Sequence, residues 1–142
     1  YGFVHELGYI LALFESKTFG QGWAHYSASV ILSRHVYPRL GDGAWPEPYN
    51  YSRTEGIERL VSQLESVEWL TYRAAAKILF LVDQRHGPAL IGEALLSARQ
   101  RIAARLNIPV TYAYPTVDEF KRELVRLSGD ASILEIFESY WW

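Results

Sequence analysis

At 142 residues, with 49% apolar and 21% charged residues and a net charge of −2, the chain reads as one globular domain able to bury a core. That near-neutral balance points away from nucleic acid and from anionic membrane surfaces as partners. With no cysteine, disulfide and thiolate chemistry are excluded, and any metal must be held by His, Asp or Glu. The longest apolar runs, such as AAAKILFLV at 74–82, fall short of the roughly 20 residues of a membrane span, and Lys77 interrupts this one. The opening residues lack the basic and apolar regions of a secretory leader; the compartment stays undecided, with a slight lean to the cytoplasm. The chain starts at Tyr1 and holds no methionine, so part of the natural protein is expected upstream.

Helical periodicity runs almost throughout. Val4, Leu7, Leu11 and Phe14 form one stripe of a first helix, with His5 and Tyr9 side by side on a neighbouring strip. Residues 18–22 read as a turn, followed by a helix from about Gln21 to His35 that places Trp23, Tyr26 and Val30 on one side. The Gly- and Pro-rich segment 38–53 reads as an irregular crossover held by Trp45 and Tyr51. Ser52, with Glu55 completing a capping box, or Thr54 caps a third helix with Ile57, Leu60, Val61 and Leu64 buried. A fourth runs from about Glu68 to Arg85, with Ala75, Ile78, Leu79 and Val82 in register.

Gly87-Pro88 ends that helix and starts a fifth, carried by Ile91, Ala94, Leu95, Ala98 and Ile102. Residues 107–115 read as an extended connector. Thr116 and Glu119 form a capping box for a sixth helix with a Val117, Phe120, Leu124, Leu127 stripe, broken at Gly129-Asp130. A last short helix gathers Ile133, Ile136, Phe137 and Tyr140, and the aromatic end is expected to clasp the core. The expectation is a single all-α domain of about seven helices over residues 1–142, with no strand pair.

The chemistry sits near the start. His5-Glu6 opens like H-E-x-x-H, in which two imidazoles one helical turn apart grip zinc and the glutamate polarises the bound water. Here the second position is Tyr9, whose phenol ionises near pH 10 and is a poor zinc ligand at neutral pH.

The order H-E-L-G-Y (5–9), Q-G-W-A-H-Y (21–26), Y-R-A-A-A-K-I-L (72–79) and F-K-R-E-L…S-G (120–129) resembles the catalytic and C-terminal helical part of the gluzincin metallopeptidases. That clan includes the M1-type aminopeptidases. The resemblance implies a helical peptidase-like domain in which His5 is a zinc ligand and Glu6 the general base. It places Gln21 where the third, acidic ligand stands, and makes Tyr72 the tyrosine that stabilises the oxyanion. The tail 118–141 resembles the closing helices of the clan.

The chain departs from that pattern at the metal. Tyr9 replaces the second ligand, Gln21 is a neutral amide, and eleven residues separate the two, fewer than the aminopeptidase pattern uses. Ala74 and Ala75 stand where Lys and Gly usually follow the tyrosine. Losing two of three ligands removes most of the charge that holds zinc. The leading expectation is therefore a degenerate peptidase-like domain with a structural or interaction role and no cofactor. The alternative is an active zinc hydrolase in which His5 and His25 meet across two helices with Glu6 or Glu15 as a third group. A third reading is a helical adaptor unrelated to peptidases. Peptide or protein partners fit all three.

Overall fold

The computed structural model describes residues 7, 14–31, 34–35 and 71–141. Among them are five α-helices and one 3-10 turn, packed as a single all-helical unit without strands. The helices are α1 (Lys17–Ile31), α2 (Tyr72–His86), α3 (Pro88–Leu106), α4 (Val117–Ser128) and α5 (Ile133–Tyr140), with the 3-10 turn at Val110–Tyr112 before α4. Five rather than about seven helices are therefore present among the described residues. The expected third helix, the 38–53 crossover and nearly all of the first helix lie outside them. Of that first helix Leu7 is helical but 43% exposed, against its expected place on the buried stripe, whereas Phe14 is buried.

The start of α1 departs from expectation. Residues 18–22 do not turn; the helix begins at Lys17, with the Ser16 hydroxyl accepting from the Phe19 N–H at 3.2 Å. Gly20 and Gly22 lie inside the helix and are buried, and at Gly22 α1 and α2 cross closely. A Cβ at Gly22 would meet Ala75 Cβ at 2.4 Å, the Tyr72 carbonyl oxygen at 2.6 Å and the Ala76 nitrogen at 2.9 Å. Backbone contact across small residues has outweighed the low helix propensity of glycine.

The remaining boundaries follow local chemistry. Thr71 caps α2, its hydroxyl accepting from the Ala74 N–H, four residues later than the expected start. Gly87, at φ +81°, closes α2 and leads into Pro88 in the first turn of α3. All five residues expected on the α3 stripe are buried. The 107–115 connector is partly wound: after Asn107 in the left-handed region comes the 3-10 turn, whose Val110 and Thr111 carbonyls accept from Arg99.

The Thr116–Glu119 capping box of α4 is present in both directions, and Phe120 and Leu124 are fully buried. Leu127, at 37% exposed, lies at the edge of the stripe rather than in it. The core is aromatic at one end. Phe19 is ringed by Phe14 at 5.0 Å, Phe120 at 5.9 Å, Phe137 at 6.2 Å and Trp141 at 5.1 Å. Tyr140 and Trp141 thus pack on the core as the clasp reading requires. No helix among the described residues is long and apolar enough to cross a membrane.

Candidate functional site

The Gly22 contact decides what the α1–α2 crossing presents. With the helix backbones touching at Gly22 and Tyr72, the side chains on either side are held at fixed separations. His25, three residues after Gly22, lies edge-on to Tyr72, ring centroids 6.3 Å apart. Tyr72 is 39% exposed at the first position of α2. Arg73 donates from Nε to the Tyr72 hydroxyl at 3.2 Å, and its guanidinium carbon lies 5.8 Å from the ring centroid. Gln21 is exposed on the same turn of α1.

Of the residues marked in the sequence, the structure thus brings together His25 and Tyr72, with Gln21 close by along α1. His5, Glu6 and Tyr9 lie outside the described residues. Glu15 precedes α1, and its N–H donates to the Pro115 carbonyl at 3.1 Å. Among the described residues no three of His, Asp and Glu converge as a metal-holding group. One imidazole, one neutral amide and one phenol do not make a zinc donor set, which calls for three nitrogen, thiolate or carboxylate ligands. No chemical step through zinc is derived from them.

A second polar constellation lies deeper in the same crossing. Tyr26 Oη donates to Asp83 Oδ2 at 2.7 Å, and Arg34 Nη2 donates to Asp83 Oδ1 at 2.8 Å. Asp83 and Tyr26 are buried at 5% and 3% exposed. Burial, and then the adjoining Asp83 carboxylate, hold the Tyr26 phenol far above its ordinary value, so it remains a donor. The carboxylate is satisfied on both oxygens, and the trio fixes the register of α1 on α2. Nearby, the buried Lys77 places its ammonium 4.6 Å from the centroid of the Tyr140 ring. The sequence reading took Lys77 only as an interruption of an apolar run.

The third constellation joins α3 to α4. Glu123, 5% exposed, accepts from Ser97 Oγ at 2.7 Å and from Arg126 Nε and Nη2 at 2.9 and 2.7 Å, and its other oxygen pairs with Arg101 Nε at 2.8 Å. Burial pushes its carboxyl up, but the hydrogen bonds from Arg126 and Ser97 and the two guanidinium charges bring it below the usual range. Glu119 accepts from the Thr116 N–H and hydroxyl and from Arg105 Nη2 at 2.9 Å. Its carboxyl is likewise lowered on balance, burial opposing and the Thr116 and Arg105 hydrogen bonds prevailing. Sequence reasoning missed this network, although the spacing was visible: Arg101 and Arg105, Arg122 and Arg126, and Glu119 and Glu123 are each one helical turn apart.

No family model, no curated protein and no solved structure matches the chain.

Proposed function

We propose that the chain is a gluzincin-like helical domain whose zinc motif has drifted from a competent peptidase, and that it serves as a structural or interaction module. The observation that carries this reading is the exposure of Gln21, one residue before the Gly22 that packs against the Tyr72 backbone. The residue that the resemblance puts at the position of the third ligand is an exposed neutral amide. An amide supplies no charge to hold a dication. With Tyr9 at the second position, the motif keeps the frame of such a site and loses most of its affinity for metal.

The test is elemental analysis of the purified protein. Less than one equivalent of zinc after dialysis is expected; a full equivalent retained through dialysis overturns the reading.

The His25–Tyr72 contact favours one alternative. A hydrolase using His5, His25 and an acidic group, with Glu6 as general base and Tyr72 at the oxyanion, would need an imidazole beside that tyrosine, and His25 is there. On that reading His5→Ala removes bound zinc, while Glu6→Gln abolishes peptide hydrolysis and keeps the metal. The adaptor reading needs neither result, and is favoured if zinc and hydrolysis are both absent and His25→Ala leaves stability and partner binding unchanged.

A further inference from the structure

The groove between α3 and α4 has a cavity volume of about 630 Å³, which is within the roughly 300–1,000 Å³ usual for small-molecule sites. Arg101 and Arg105 enter it from α3 and Arg122 and Arg126 from α4, with Glu119 and Glu123 between them. Four guanidiniums against two carboxylates leave a local surplus of positive charge, in a chain whose overall balance is −2.

The hydrogen-bond accounting is equally one-sided. The oxygens of Glu119 and Glu123 are already engaged by Thr116, Ser97 and three of the arginines. The donors are not matched in return. Arg101 pairs through Nε, leaving both terminal nitrogens, and Arg105 pairs through Nη2. Both side chains are more than 60% exposed, at 62% and 64%. Arg122 is exposed and has no ion-pair or hydrogen-bond partner among the described residues. Glu119 and Glu123 hold the paired guanidiniums in place, so their free edges face the groove already ordered.

We propose that this groove binds a phosphorylated small molecule, with its phosphate held between Arg101, Arg105 and Arg122. A phosphate monoester carries about −1.5 to −2 charge at neutral pH, matching the surplus, whereas a single carboxylate leaves part of it uncompensated. Guanidinium edges meet phosphate oxygens in paired hydrogen bonds, which an ammonium cannot do. The buried Ala98 and Ile102 give the groove an apolar wall for the remainder of the ligand. The assignment is independent of the reading of the zinc-like motif.

Calorimetric titration with pyrophosphate, and in parallel with acetate, at fixed ionic strength tests it on the whole chain. Saturable binding of pyrophosphate is expected, and none of acetate. Arg122→Ala, which breaks no hydrogen bond or ion pair among the described residues, is expected to weaken binding about tenfold or more. Arg85→Ala, which removes an equal charge at the far end of α2, is expected to leave it unchanged. No saturation with pyrophosphate, equal binding of acetate, or equal weakening by the two variants overturns the proposal. A phosphoserine peptide binding more than about tenfold tighter than pyrophosphate overturns the small-molecule source in favour of a modified protein.

Discussion

The hydroxyl of Tyr26 and the carboxylate of Asp83, 57 residues apart in the chain, meet at 2.7 Å inside the α1–α2 interface. Phe at position 26 would keep the ring contacts with Phe80 and Trp23 and leave Asp83 with Arg34 alone. Tyr26→Phe is expected to lower stability by about 1.5–3 kcal/mol, the range for a hydrogen bond to a charged group, read as a fall in the urea midpoint. Because the folded-state phenol titrates above its ordinary value, its contribution is intact below about pH 10 and is lost as pH rises beyond it. The wild-type advantage over Tyr26→Phe should therefore shrink in alkali.

Gly22 admits no side chain. Two of the three atoms a Cβ would strike are backbone, of Tyr72 and Ala76, so relief requires the helices to part. Gly22→Ala is expected to cost about 3 kcal/mol, at the upper end for overpacking and despite the better helix propensity of alanine. Thermal unfolding measures the loss, and the environment of the Tyr72 ring, followed by NMR, should change with it.

At the start of α4, Thr116→Ala removes the acceptor for the Glu119 N–H and one arm of the capping box. About 1 kcal/mol of destabilisation is expected, and Thr116→Ser should restore most of it. Chemical denaturation of the three proteins decides the matter.

Asp130 carries an acid-side signature. Hydrogen bonds from Ser132 and then His86 lower its carboxyl from 3.8 to about 2. A carboxyl depressed on folding contributes stability above its unfolded value and loses it as pH falls through the folded one. The melting temperature should therefore decline between about pH 4 and pH 2 more steeply in the wild type than in Asp130→Asn. Parallel slopes would show that the His86–Asp130 contact between α2 and the α4–α5 turn adds nothing.

What was legible in the sequence was local. The Gly87-Pro88 junction, the Thr116–Glu119 box and the α3 stripe each depend on residues within a few positions of one another, and each is present. The beginning of α1 misled because Gly20 and Gly22 are turn formers by propensity, whereas at Gly22 the approach of α2 favours a helix residue without a side chain. His25 and Tyr72 were picked out as separate letters; that they touch follows from a crossing the letters do not encode. For the α3–α4 groove the one-turn spacing of the arginines was readable, but not that the two charged faces oppose each other. His5, Glu6 and Tyr9, on which the zinc resemblance leans most, lie outside the described residues.

The ring stack around Phe19 has a consequence for biosynthesis. This residue belongs to the first helix to leave the ribosome among those described, yet Phe120, Phe137 and Trp141, three of the walls of its pocket, lie 101 or more positions further along the chain. Until they emerge, the Phe19 ring has Phe14 beside it but lacks those three walls, and the nascent polypeptide needs either a chaperone's shelter or rapid synthesis to escape sticking to its own kind.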